Sequence, residues 1–205
     1  MYNKETKNKL SIDIIKRFEN NKDADLSKIV SMKKFNLDAE NCARILAYHF
    51  PLGLNDVLFH FSTIINKRLH SLCLSKNKLN NLGITEKIRF LVINRLKIIS
   101  EYEICFNNIK KYLTSPSNLL FTNKLLFSIS DELWFLAGDK SLDFNFYTKR
   151  LILMKIYTKT FFTWIKDNSK DNLLTNETLD MQLRRVSKIG KYKFMFKNFL
   201  SNIKN

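Results

Sequence analysis

Between Asp131 and Arg150 the chain reads Asp-Glu-Leu-Trp-Phe-Leu-Ala-Gly-Asp-Lys-Ser-Leu-Asp-Phe-Asn-Phe-Tyr-Thr-Lys-Arg, which gathers four carboxylates, an adjacent Lys149 and Arg150, and five aromatic rings. Two carboxylates as close in sequence as Asp139 and Asp143 could share acid and base duties in a reaction. No activated nucleophile or further base accompanies them, so this set suits helix capping, ion pairing and contact with a partner. The rest of the chain offers little other reactive chemistry. His49, His60 and His70 are isolated, and none follows a glutamate by three residues, so the Glu-x-x-His pairs of di-iron bundles are missing. Zinc-ligand spacing, a phosphate-binding glycine loop and a Gly-x-Ser-x-Gly elbow are also missing. The expectation is a binding protein with no catalytic residue and no metal.

Helices must hold these side chains. Only 4 Gly and 2 Pro punctuate 205 residues, and apolar residues recur at helical rather than alternating spacing, which predicts an all-α protein. Helices are expected at about 4–19, 24–34, 38–48, 53–75, 85–113, 117–137, 144–166 and 174–189, with a last amphipathic piece over 191–204. The fifth is the clearest, since Ile88, Leu91, Val92, Ile98, Ile99, Tyr102, Cys105, Phe106, Ile109, Tyr112 and Leu113 keep one face apolar. Ser115-Pro116 then stops it and opens the next helix. Further on, Gly138 can take the left-handed conformation that ends a helix, and Asp139, Ser141 or Asp143 can cap the one starting near Phe144. Trp134 and Phe135 are helical neighbours whose side chains diverge by about 100°, so at least one should be exposed. The 144–166 helix carries Leu151, Ile152, Leu153, Met154, Ile156, Tyr157, Phe161, Phe162, Trp164 and Ile165 around almost its whole circumference. A ligand or a second subunit must cover whatever the core does not.

The net charge of +16 points towards nucleic acid or an anionic membrane. A duller cause competes with it, because Lys outnumbers Arg 27 to 8 and Asn outnumbers Ala 23 to 5, the bias of an AT-rich genome. The distribution says more than the total: residues 151–205 hold 11 basic and 4 acidic side chains, a surplus of +7. Cys42, Cys73 and Cys105 are odd in number and far apart, which disfavours a disulfide framework and fits a reducing compartment. No uncharged apolar run reaches about 18 residues, and the first residues resemble neither a signal core nor an Arg-rich transit peptide, so a bacterial cytoplasmic chain is expected.

The segment also resembles the signature of the Coq-nine family of ubiquinone biosynthesis. That signature runs roughly Asp-x-Ile-Trp-x-x-Ala-Gly-Asp-x-Ser-x-Asp-x-Asn-Trp-Tyr-Thr-Lys-Arg. Asp131, Trp134, Ala137, Gly138, Asp139, Ser141, Asp143, Asn145, Tyr147, Thr148, Lys149 and Arg150 stand at matching positions, with Leu133 for the usual Ile and Phe146 for the usual Trp. Weaker likeness covers Phe50-Pro51-Leu52-Gly53 before it, and Asp167, Ser169, Thr175 and Arg184-Arg185 after it. The resemblance implies a TetR-like helical bundle and a non-enzymatic protein that holds an isoprenoid or phospholipid and no other cofactor. It would present quinone intermediates to the di-iron quinone hydroxylase of ubiquinone synthesis. By the same analogy the hydroxylase docks on Asp131, Trp134, Phe135, Gly138 and Asp139, with Tyr147, Lys149 and Arg150 supporting or bordering that surface. For the lipid pocket, surplus bulk on three helices singles out Phe59, Leu126, Tyr157, Phe161 and Trp164. The expected organisation is a helix-turn-helix-like unit over 1–50, a lipid-binding and dimerising body over 51–190, and a tail over 191–205, in a homodimer.

Within the tail, Tyr192, Met195, Phe196, Phe199, Leu200 and Ile203 fall on one helical face, and Lys191, Lys193 and Lys197 flank it. That pattern suits a helix lying in a membrane interface, placing the protein peripherally on an anionic inner membrane face. Packing of the same face against the body competes with this reading. The main rival function is a TetR-type DNA-binding regulator with a hydrophobic ligand pocket, reading the major groove with residues 38–48. Asp38 and Glu40 sit where phosphate would approach, and only Asn41 and Arg44 could read a base, so nucleic acid is disfavoured. Binding to duplex DNA should therefore be weak, indifferent to sequence and lost at physiological salt. Nanomolar, sequence-specific binding in a gel-shift assay at about 150 mM salt would overturn the choice.

Overall fold

The computed structural model describes residues 4–18, 39–76, 79–102, 104, 106–142 and 144–187. The helix expected at 24–34, the tail over 191–204, Cys105 and Asp143 lie outside the described residues. Those described form α1 (Lys4–Arg17), α2 (Ala39–His49), α3 (Leu54–Lys76), α4 (Ile84–Ser100), α5 (Phe106–Thr114), α6 (Leu119–Leu136), α7 (Phe144–Trp164) and α8 (173–187). Two short 3-10 turns, Pro116–Asn118 and Lys170–Asn172, precede α6 and α8. No strand occurs among the described residues, so the protein is all-α as its spacing predicts. This order of elements is consistent with the TetR-like plan.

Local chemistry sets several boundaries. Gly53, at φ +62°, turns the chain between α2 and α3, and the Asp56 carboxylate reaches back to accept the Leu52 N–H at 2.7 Å. Glu86 similarly accepts the Gly83 N–H at 2.9 Å, satisfying an amide that the first turn of α4 leaves open. One expectation fails here. The continuous helix read over 85–113 is broken, with α4 ending at Ser100 and α5 beginning at Phe106. The apolar period does continue across the break, but Glu101 and Tyr102 are drawn to α3. Arg68 pairs with the Glu101 carboxylate and donates to the Tyr102 hydroxyl at 3.2 Å, while the Tyr102 ring meets Phe61 edge-on at 5.1 Å. These contacts, with the Tyr102 N–H closing a tight turn onto the Ile99 carbonyl, replace continuation of the helical ladder.

The chain divides into two compact units, residues 1–77 with 94–129 and residues 78–93 with 130–205. In the first, α1 packs on α3 around Leu10, Ile14, Ile15, Val57, Ile65 and Leu69, all buried. Arg95 is buried there too, and its guanidinium donates to the Asn66 side chain and, at 2.8 Å, to the Ser62 hydroxyl. In the second, Leu91, Val92, Leu133, Leu153, Ile156 and Leu179 form the core. Asp167 fastens the start of α8. One of its carboxylate oxygens accepts the Ser169 N–H and hydroxyl, and the other accepts the Thr175 N–H at 2.7 Å and hydroxyl at 2.6 Å. Burial pushes this carboxyl up, but the hydrogen bonds from Ser169 and Thr175 outweigh it and hold the pKa at about 2. Asp167→Ala should therefore destabilise the fold by about 1–2 kcal/mol, as loss of a helix cap does, in urea denaturation followed by circular dichroism. A midpoint unchanged from wild type would remove Asp167 from this role.

Candidate functional site: an ionic knot beneath an apolar face

The corner between α6 and α7 is built from its backbone outward. Gly138 adopts φ +88°, its N–H donates to the Phe135 carbonyl, and the Asp139 N–H donates to the Trp134 carbonyl, each at 3.0 Å. This pair of bonds is the Schellman ending of a helix, and it satisfies carbonyls that α6 would otherwise leave open. It also delivers the Asp139 side chain inward, towards the second turn of α7.

There Asp139 meets two cations. Its Oδ1 accepts from Lys149 Nζ at 2.7 Å and from the Ser141 hydroxyl at 2.9 Å, and its Oδ2 accepts from Arg150 Nη1 at 3.1 Å. The side chains of Asp139 and Arg150 are each only 4% exposed. Arg150 Nε donates to Asp131 at 2.6 Å, its Nη1 also donates to the Phe146 carbonyl, and the guanidinium lies 3.3 Å over the centre of the Phe146 ring. Phe146 stands one helical turn before Arg150, so α7 itself supplies the stacking face. Trp134 closes the group from α6: its indole N–H donates to the Lys149 carbonyl at 3.0 Å, and Lys149 Nζ lies 5.4 Å from the ring centre. Burial pushes the Asp139 carboxyl up, but hydrogen bonds from Lys149, Ser141 and Arg150 and the Lys149 charge prevail, bringing its pKa to about 2.

Large apolar side chains remain uncovered around this knot. Phe135 is 66% exposed, Leu142 96%, Phe144 82%, Tyr147 58% and Leu151 56%. Phe144, Tyr147 and Leu151 follow i, i+3, i+7 and share one face of α7. Together these solvated side chains make an exposed apolar patch. The other side of Trp134 lines a cleft of about 290 Å³, together with Ile84, Ile88, Ile152, Ile156 and Leu183. That volume lies at the lower end of the roughly 300–1,000 Å³ of small-molecule sites.

The sequence-predicted residues divide accordingly. Phe135, Tyr147 and Gly138 reach the surface, Asp131 half emerges, and Asp139 and Arg150 are turned inward. Asp139 and Ser141, read as candidate caps for α7, commit their side chains to Lys149 and Arg150. As the 100° divergence requires, Phe135 is exposed while Trp134 is half-buried. Of the residues assigned to a lipid pocket, Tyr157, Phe161 and Trp164 form a ladder down α7, with ring centres 6.1 and 5.8 Å apart. Phe59 stands partly exposed on α3 and Leu126 half-buried on α6, both in the other compact unit. None of these five lines the cleft at Trp134. Leu142, Phe144, Leu151 and Ile152 went unassigned in the sequence, although the all-round apolar character of their helix was the signal for most of them. The nine tail residues from Tyr192 to Ile203 and Lys191 to Lys197 lie outside the described part.

An all-α protein with a fixed ionic corner beneath an exposed apolar face is what the geometry of the described residues defines. Residues 121–190, which include the corner, match the COQ9 family model. The chain is 32% identical over 142 residues to ubiquinone biosynthesis protein COQ9, mitochondrial, of Rattus norvegicus, covering 66% of this chain and 46% of the rat protein. Against the protein of the same name from Homo sapiens it is 34% identical over 123 residues, covering 57% and 39% of the two chains. The probable ubiquinone biosynthesis protein coq9, mitochondrial, of Dictyostelium discoideum is 27% identical over 155 residues, 75% of this chain and 48% of that one. The chain belongs to the COQ9 family, and it spans about half the length of the curated relatives it matches. No described helix is long and apolar enough to cross a membrane.

The knot should contribute to acid stability, alongside Asp167. Asp139 titrates lower in the folded chain than in the unfolded one, so its contribution is complete above about pH 4 and lost as pH falls towards its folded value of about 2. Asp139→Asn should cost about 3 kcal/mol at neutral pH by leaving Arg150 buried beside a neutral amide. The same variant should lose less on acidification than wild type. Melting curves taken across that range check both, and parallel losses in the two proteins would contradict the assignment.

Proposed function

We propose that this chain is a non-enzymatic accessory protein of ubiquinone biosynthesis that binds an isoprenoid or quinone-type lipid and offers it to a di-iron quinone hydroxylase. The observation carrying this reading is the set of exposed Phe135, Leu142, Phe144, Tyr147 and Leu151 around a corner made rigid by Asp139 and Arg150. Aromatic side chains held on a rigid frame are what an interface centre uses, because little entropy is lost on docking. In this proposal Asp131, Phe135, Gly138 and Tyr147 meet the hydroxylase, while Trp134, Asp139, Lys149 and Arg150 hold the surface in shape. The lipid occupies apolar space in the body, and the cleft beside Trp134 is the candidate entrance for its headgroup or first isoprene units. The protein works as a homodimer at a membrane surface. Its family membership and its relatives' names support a place in ubiquinone synthesis, and the corner supports a protein partner.

The test pairs a pull-down with lipid analysis. Phe135→Asp and Phe144→Asp should each reduce capture of the quinone hydroxylase at least about tenfold, with melting temperatures near wild type. Organic extraction of the wild-type protein should release near-stoichiometric isoprenoid or phospholipid, and native mass spectrometry should read two subunits. Unchanged capture by both variants would refute the docking surface, and a lipid-free protein would refute the carrier role.

A further inference from the structure

The turn between α5 and α6 belongs to the first compact unit and takes no part in the ionic knot. Its hydrogen bonds occupy polar groups that a turn usually leaves to water. The Tyr112 carbonyl accepts the Ser115 N–H at 3.2 Å and the Asn118 side-chain amide at 3.0 Å. The Leu113 carbonyl accepts the Thr122 hydroxyl from α6 at 2.7 Å, and the Ser115 carbonyl accepts the Asn118 N–H at 3.0 Å. The Ser115 and Ser117 hydroxyls bond each other at 3.0 Å. Carbonyls that the end of α5 would leave open are thus met by side chains from the turn and from α6. Tyr112 also fixes the turn to the body of its unit, since its hydroxyl donates to Asn55 of α3 at 3.0 Å and its ring meets Phe18 edge-on at 6.1 Å.

The outside of this turn is apolar. Leu120 is 88% exposed and Leu119 49%, and Pro116 is exposed beside them in sequence. Two adjacent leucines at the start of a helix, above polar groups already bonded to one another, can leave water without stranding a donor or acceptor. The charge here is of one sign, because residues 104–130 contain Lys110, Lys111 and Lys124 and no Asp or Glu. Lys111 lies in the last turn of α5, Lys124 stands four residues after Leu120 on the same face of α6, and both are exposed. Asp56, the carboxylate next to the Asn55 anchor, is committed to the Leu52 N–H. A second copy of the chain meeting this turn across a two-fold axis would set lysine against lysine. An anionic lipid surface answers both features, since leucines enter the acyl boundary while ammonium groups on long stems stay among the headgroups.

We propose that the α5–α6 turn is a membrane-insertion tip, in which Leu119 and Leu120 enter an anionic lipid surface and Lys111 and Lys124 meet its phosphate groups. The inference rests on the membrane-surface part of the function proposed above, and it adds a contact distinct from the tail over 191–205. It uses no residue of the Asp139 corner.

The test is flotation of the full chain with vesicles of phosphatidylcholine alone and of equal parts phosphatidylcholine and phosphatidylglycerol. Wild type should float with the anionic vesicles and detach as salt rises. Leu120→Asp should weaken partitioning about tenfold, and Lys111→Glu and Lys124→Glu each about fivefold at low salt, with melting temperatures near wild type. Depth is read separately with Leu120→Trp, whose added emission should be quenched by lipids brominated in the acyl chain, measured against the Trp134 and Trp164 signal of wild type. A wild-type chain that binds no anionic vesicle would refute the membrane reading and this tip together. Binding that survives all three charge substitutions, with no added quenching in Leu120→Trp, would overturn the tip alone and leave the membrane contact to other residues. Vesicle binding unchanged in Leu120→Asp, with loss of the second subunit in native mass spectrometry or of hydroxylase capture, would also overturn the proposal and assign these leucines to a protein interface.

Discussion

The pairing of Asp139 with Arg150 governs the second compact unit. A guanidinium taken out of water is tolerable only where its donors are met, and here the Asp131 and Asp139 carboxylates, the Phe146 carbonyl and the Phe146 ring meet them. The cost of separating any of these partners fixes the direction in which α7 leaves α6. Lys149, bonded to the same carboxylate and covering Trp134, ties that direction to the indole and so to the cleft behind it. One buried charge pair thus specifies geometry for the exposed face and for the apolar hollow together.

That arrangement explains why a charged segment can carry an apolar surface. The polar side chains satisfy one another inside the corner, so the outward positions are left to Phe135, Leu142, Phe144, Tyr147 and Leu151. An inverted design, with charges outside and rings within, would leave no apolar patch exposed. The same logic holds at Asp167, where a carboxylate spent on Ser169 and Thr175 fixes the approach to α8. Both aspartates titrate well below the usual range, which marks them as structural acceptors rather than proton donors at neutral pH.

Much of this was legible in the sequence, for reasons that differ between elements. Helices α2, α3, α6 and α7 follow from unbroken 3.6-residue spacing bounded by Gly53, Pro116 and Gly138, residues whose backbone preferences act locally. The divergence of Trp134 and Phe135 is a property of any helix. The end of α4 at Ser100 was not legible, because Arg68, which holds Glu101 and Tyr102, lies more than thirty residues away and no local breaker announces it. Pocket residues were harder still: bulk on a helix says that a side chain wants cover, and only packing decides whether a neighbouring helix or a vacancy provides it. Hence Tyr157 proved a buried member of an aromatic ladder, while Ile84 and Leu183, unremarkable in sequence, line the cleft.

Gly138 adds a different kind of constraint. A β-carbon placed there would meet no atom within 4 Å, yet φ is +88°. Nothing crowds the position, so what excludes other residues is handedness rather than size. An L-alanine would be strained in an empty space, whereas a D-alanine favours that backbone angle and would narrow the freedom of the unfolded chain. The corner is thus open to a semisynthetic D-residue that could stiffen it without touching the Asp139 and Arg150 pair, and so separate rigidity from composition in the recognition proposed for it.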